Sequence, residues 1–449
     1  MSGSDTIFAP ATALGGALAV LRISGSQSLA IALKLWRGRA NPGDPCNFRR
    51  LLLGRLADLD GTAIDSQCLL AYMPSPHSYT GEDVAELHCH GGVLACRLAL
   101  EALQKAGARP ATPGEFTRRA FLNGKLDLTQ AEAVADLISA ESAAALSSAN
   151  CQLSGHVGRQ IGDFYSRLET VLAEVESRLD FPEEELEWIP VPELSGQIGA
   201  MRDEMRRLWA TRRAGEVIRN GITMVIAGEP NVGKSSLLNR WIGRDRAIVS
   251  EIPGTTRDTV EADFVVRGIP VRLIDTAGVR ESADAIEQCG MERSRRAAAD
   301  ADLVLWVADA AGEGALTPWP QWPVRAPVLL VANKCDIASR PVPDGYLAVS
   351  AKDGTGIDEL SDAVARAVIG DDGLRMLAGC AVAVSARHAA LLEEAADALD
   401  EAMPSLDGGE WELAAVPLRR AMAAIGQITG KAVSPDVLDA IFHRFCIGK

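Results

Sequence analysis

Residues 228–236 read GEPNVGKSS. They follow an apolar run, TMVIAG at 223–228, and lead into SSLLNRWIG at 235–243. The stretch fits G-x-x-x-x-G-K-[ST] through Gly228, Gly233, Lys234 and Ser235, in the strand–loop–helix setting that a phosphate-binding loop requires. Glycines let backbone N–H groups curl around a phosphate, and the helix N-terminus adds partial positive charge. Lys234 is placed to reach the β- and γ-phosphates, and Ser235 to ligate Mg2+. Asn231, Val232, Gly233, Lys234, Ser235 and Ser236 are therefore the expected nucleotide contacts.

Three further motifs follow, each after an apolar run. LIDTAG at 273–278 supplies Asp275 for the Mg2+ shell and Gly278 to sense the γ-phosphate. NKCD at 333–336 follows VLLVAN: Asp336 can accept from the N1 and N2 positions of guanine, Asn333 can read its O6 edge, and Lys334 lies between them. Adenine lacks the 2-amino donor, so the signature favours GTP. SAK, Ser350, Ala351 and Lys352, caps the base. The residue after Gly278 is Val279, which cannot orient water as the glutamine of Ras-like proteins does. Glu281, Asp284 and Glu287 are the acids at hand. The charge of an arginine finger must come from Arg257, Arg280, a partner or a cation, and the Asn231 side chain could hold a monovalent ion.

Strands alternating with helical segments over 216–375 indicate a doubly wound parallel sheet. Residues 1–120 mix β-branched runs with turn-rich stretches and read as an α+β domain. Over 121–215, Phe164, Leu168, Val171, Leu172, Val175 and Leu179 recur at helical spacing, and after 376 so do Leu392, Ala395, Ala396, Leu399 and Met403. A self-contained α/β unit between helical segments suggests insertion: a helical domain from 121–215 and 376–449, interrupted by the G domain at 216–375. The expected fold class is multidomain α/β.

The 449 residues are 47% hydrophobic and carry a formal charge of −15. So acidic a chain is not a general nucleic-acid coat, and any RNA contact needs a local basic patch or a partner. No apolar run is long enough for a membrane span, and no secretory leader is evident. Nine cysteines without CxxC pairs read as reduced thiols in a cytoplasmic protein. HCHGG at 88–92 invites a metal reading, but adjacent strand residues point to opposite faces.

GTTRD at 254–258, the stretch from DTAGVRES to Glu287, FCIGK at 445–449, SYTGEDVAELHCHGG at 78–92 and PGEFTRRAFLNGKLDLTQAEAVADLI at 113–138 occur together. This combination resembles the MnmE (TrmE) family of tRNA-modification GTPases along the whole length. The resemblance implies an N-terminal folate-binding and dimerisation domain, a helical domain made of two segments, and an inserted P-loop GTPase domain. It implies a homodimer that joins an FAD-dependent flavoprotein, MnmG or GidA, in a heterotetramer. Together they would add a carboxymethylaminomethyl or aminomethyl group to C5 of the wobble uridine of tRNA. The carbon would come from 5,10-methylenetetrahydrofolate, for which 5-formyltetrahydrofolate is an analogue.

G-domain dimerisation around K+ would replace the arginine finger. Asn231, Ser250, Ile252 and Thr255 would ligate K+, Ser235 and Thr256 would ligate Mg2+, and Glu287 would orient the attacking water. Arg22, Glu86, Lys125 and Lys449 match folate-contacting positions. Phe445 and Ile447 would pack the tail near the folate, and Cys446 would offer a nucleophilic thiolate there. The familiar PPGRGG-like loop is replaced by ATALGGALAVLRISG at 11–25. A GTP-switched ribosome-assembly factor and a folate-binding protein with a regulatory G domain are the competing functions; the folate-like residues and cysteine tail speak against the first.

Overall fold

The computed structural model describes residues 5–181, 187–243, 260–275, 295–312, 316–378, 384–445 and 448. Two compact units divide the chain: residues 1–135 with 426–449, and residues 136–425.

The first unit is built on a seven-stranded sheet. Its strands are β1 (Ile7–Pro10), β2 (Leu18–Ser24), β3 (Trp36–Gly38), β4 (Leu52–Ala57), β5 (Ala63–Met73), β6 (Val84–His90) and β7 (Arg109–Pro110), in the order β3-β4-β5-β6-β2-β1-β7. Every pairing is antiparallel except β1 with β7. Alternation along β2 and β6 decides the two faces. Leu21, Ile23, Ala85 and Leu87 enter a core with Ile31, Leu35 and Leu103 from the helices Ser28–Leu35 and Val93–Lys105. Arg22, Glu86 and His88 therefore project from the opposite face.

Residues 426–449 cluster with this unit. Local contacts give the reason. Arg118 pairs with Asp439 at 2.8 Å, and Phe445 is buried beside Gly114, where an added Cβ would lie 3.1 Å from the Phe445 Cβ.

The second unit holds a six-stranded sheet: β8 (Ile222–Ala227), β9 (Val260–Val266), β10 (Ile269–Asp275), β11 (Leu303–Asp309), β12 (Val328–Asn333) and β13 (Tyr346–Ala348), ordered β13-β12-β11-β8-β10-β9. Five strands run parallel, but β9 is an antiparallel edge strand on β10, so the sheet is not wholly parallel as its sequence pattern suggested. A tight turn through Arg267 and Gly268 makes that pair a hairpin, which only antiparallel strands can form.

Met224 and Ile226 of β8 pack on one face with Leu237 and Trp241 of the helix Lys234–Ile242 and with Leu360 and Val364 of the helix Ile357–Ala378. Val225 and Ala227 point the other way, onto Trp306. That second face departs from the expected strand–helix alternation. Among the described residues between β11 and β12 there is no helix. Four prolines at 318, 320, 323 and 327 forbid one. Trp319 and Trp322 cover the sheet instead, edge-on to Trp306 at centroid distances of 5.5 and 6.0 Å.

The same unit contains the long helix His156–Asp180, which buries Phe164, Leu168, Val171, Leu172 and Val175. Leu179, expected on that stripe, is 37% exposed in the final turn. The helix Val191–Ala210 packs along Ala386–Asp407, far away in the chain. Leu392, Ala395, Ala396 and Leu399 are buried, and Arg202 pairs with Asp400 at 2.8 Å.

Candidate functional site

The phosphate-binding loop leaves the C-terminal end of β8. This strand lies between β10 and β11, where the sheet order reverses, the usual ligand position in open α/β sheets. Two glycines are sterically required. A Cβ on Gly228 would lie 2.1 Å from the Val307 carbonyl oxygen, and one on Gly233 would lie 2.5 Å from Asn333 Nδ2; both have positive φ. Asn231 also adopts a left-handed conformation, with φ 60. Gly233 caps the helix Lys234–Ile242, whose first turn presents the exposed Ser235 and Ser236. Lys234 Nζ donates to the carbonyls of Gly228 and Glu229 at 2.9 and 2.7 Å, folded over the loop.

The motifs expected on the guanine side converge on this loop. Asn333 is 1% exposed; its Nδ2 donates to the Val232 carbonyl at 2.8 Å and its Oδ1 accepts from Ala351 N–H at 3.1 Å. The amide thus ties the phosphate loop to the SAK loop. Lys334 Nζ donates to the Asn231 carbonyl at 3.0 Å and pairs with Asp309 at 2.6 Å. Ser350 is fully buried, and its Oγ accepts from Asp353 N–H at 3.3 Å. Asp336 and Lys352 are exposed at the rim. Asp309 escaped sequence reasoning because it ends an apolar strand and belongs to no motif.

In the first unit, Arg22 and Glu86 stand opposite each other on β2 and β6. Arg22 Nε donates to Glu86 Oε1 at 2.8 Å. The guanidinium lies 5.4 Å from the Tyr79 ring centroid and 5.8 Å from that of Phe116. His88 Nε2 approaches Glu86 Oε2 at 3.4 Å, an electrostatic contact rather than a directed hydrogen bond. The imidazole and then the guanidinium hold the Glu86 carboxyl down to about 2, against a burial that pushes it up. Lys125 Nζ donates to the Pro76 carbonyl at 3.1 Å. Cys89 sits in the core, its thiol pushed up to about 12 by burial, and His90 turns to Asp65 at 2.9 Å. Tyr79, Phe116 and His88 join Arg22 and Glu86 without having been singled out as ligand contacts; Tyr79 and His88 lie inside the same quoted stretch as Glu86.

Gly448 closes the tail onto β1. Its φ is 101, and a Cβ there would lie 2.0 Å from the Pro10 carbonyl oxygen. Ser250, Ile252, Thr255, Thr256, Gly278, Glu287, Cys446 and Lys449 lie outside the described residues, as does the side chain of Asp275, whose backbone ends β10.

Residues 6–125 match the family described as GTP-binding protein TrmE N-terminus, and residues 128–446 match the MnmE helical domain. The tRNA modification GTPase MnmE of Akkermansia muciniphila is 44% identical over 458 residues, covering 99% of both chains. This chain belongs to the MnmE family. The MnmE of Symbiobacterium thermophilum is likewise 44% identical, over the full length of both chains. Among solved structures, the FeoB G-domain from Methanococcus jannaschii matches 33% of this chain and 97% of its own, at 24% identity and a TM-score of 0.25. As a member of the MnmE family the chain is a GTPase of multidomain α/β architecture. No helix among the described residues is long and apolar enough to cross a membrane.

Proposed function

We propose that this protein is the GTP-hydrolysing component of a tRNA-modifying complex that acts on C5 of the wobble uridine. It would work as a homodimer with an FAD-dependent flavoprotein of the MnmG type in the cytoplasm. The observation that carries this reading is the coexistence, in one chain of the MnmE family, of a phosphate loop braced by its guanine-side motifs and a separate ionised carboxylate–guanidinium site.

The G site suits GTP with Mg2+. Ser235 at the head of the helix offers a hydroxyl to the metal, joined by Thr256 and Asp275; Lys234, which donates to the Gly228 and Glu229 carbonyls, turns from them to meet phosphate oxygens. Exposed Asn231 offers an amide oxygen to K+, with Ser250, Ile252 and Thr255 as the remaining ligands. Glu287 orients the attacking water.

The residues of the first unit fit a folate. Glu86 stays ionised at neutral pH, and a carboxylate has about four lone-pair sites, so the bond to Arg22 leaves acceptors for the paired N–H edge of a pterin. Tyr79 and Phe116 supply aromatic surface beside it. Lys125 and Lys449 are the cations for a glutamate tail. When bound, methylenetetrahydrofolate supplies the carbon, and Cys446 provides the thiol near it. The domains are taken as 1–120 for folate and dimerisation, 121–215 with 376–449 for the helical part, and 216–375 for the G domain.

The deciding experiment is deletion of the gene, followed by mass measurement of the wobble nucleosides of the cell's tRNAs. Loss of the aminomethyl-type group at C5 is the expected result. An unchanged nucleoside profile would refute the tRNA assignment and leave a folate-linked GTPase with another task.

A further inference from the structure

Asp309 ends β11 directly opposite Asn333 of β12 in the parallel register. Its Oδ1 accepts from Ala311 N–H at 2.9 Å, and its Oδ2 accepts from Lys334 Nζ at 2.6 Å. The same ammonium donates to the Asn231 carbonyl, while the neighbouring Asn333 amide holds the Val232 carbonyl. Two consecutive carbonyls of the phosphate loop are thus drawn toward the end of β12. In a trans peptide the C=O and the following N–H point in opposite directions. Drawing the Asn231 carbonyl one way aims the Val232 N–H the other way, away from β12. Asn231 also carries φ 60, a left-handed conformation that L-residues adopt at a cost. The Lys334 bond holds it there, and Asp309 fixes where Lys334 can reach.

We propose that Asp309 is a positioning residue for guanine-nucleotide binding, acting through Lys334 on the Asn231–Val232 peptide. The inference rests on the reading of residues 228–236 as the GTP site. The group it serves is the phosphate held by the loop amides and common to GDP and GTP, so both nucleotides depend on it equally. The near-isosteric Asp309→Asn change keeps an acceptor for Ala311 and removes the charge that anchors Lys334.

The test measures binding of fluorescent GDP and of a non-hydrolysable GTP analogue to the full chain. Wild type, Asp309→Asn, Lys334→Met and the double variant are compared. Asp309→Asn should raise both dissociation constants roughly five-fold, the size of a well-placed, partly exposed ion pair, and the loss should appear in KM rather than in kcat. In the Lys334→Met background the Asp309 change should add little, because the pair is already broken. Unchanged GDP affinity in the single variant, or an equal loss in both backgrounds, would overturn the proposal. A wild-type protein that binds no guanine nucleotide would instead overturn the reading of the loop.

Discussion

Arg22 and Glu86, sixty-four residues apart in the chain, meet across adjacent antiparallel strands with Nε 2.8 Å from Oε1. Both side chains are mostly buried, at 17% and 16% exposure, on the sheet face opposite the packed helices. Deep placement makes the pair costly to break, and His88 and Arg22 keep the carboxylate charged against that burial.

Glu86→Gln should therefore lower stability in a pH-dependent way. The folded carboxyl sits near 2, against 4.5 when unperturbed. Its contribution, on the order of 3 kcal/mol, is fully present above the unfolded value and is lost as pH falls from there toward the folded one. Urea midpoints of wild type and variant should differ at neutral pH and converge in acid. The same variant should lose affinity for 5-formyltetrahydrofolate while GTP turnover persists; full folate affinity would remove Glu86 from that site.

Asn333→Ala should weaken GDP and GTP together. The change strips a donor from the buried Val232 carbonyl and an acceptor from the Ala351 amide, at about 1–3 kcal/mol for each group left unpaired. Thermal unfolding should fall in parallel. A variant that lost nucleotide affinity with no drop in melting temperature would indicate direct base contact.

Gly448→Ala should release the tail from the first unit. A left-handed conformation costs a residue with a Cβ about 1–2 kcal/mol, and here the new atom would also collide with the Pro10 carbonyl. Carboxypeptidase should trim the variant faster than wild type, and tRNA modification should drop while GTP hydrolysis is retained. Equal trimming rates would show that Gly448 does not anchor the tail.

GTP turnover should be faster in KCl than in NaCl at equal ionic strength. Glu287→Ala should abolish it while GTP still binds. Equal rates in the two salts would promote Arg257 or Arg280 to the charge-neutralising role, and turnover in the variant would refute the water-orienting role of Glu287.

Much of the G site was legible because its signals are local. Gly228, Gly233, Lys234 and Ser235 lie within eight residues, and the buried β8 reads as a near-continuous apolar run. The stripe over Phe164–Val175 was legible for the same reason, since one helix supplies the whole period. The pattern failed between β11 and β12, where the prolines were visible but the three-tryptophan cover depends on Trp306 projecting from a neighbouring strand.

By itself the sequence located the phosphate-loop and guanine-side motifs and the amphipathic helices, because each is encoded within a short span, and it carried the family resemblance through several such spans together. Only the tertiary structure decided that Asn333 braces two loops, that Asp309 holds Lys334, that Arg22 and Glu86 share one bond, and that the tail returns to β1. Those relations depend on strand register and on the close approach of backbones far apart in the chain. Both are set by packing the whole sheet, and no local spacing carries them.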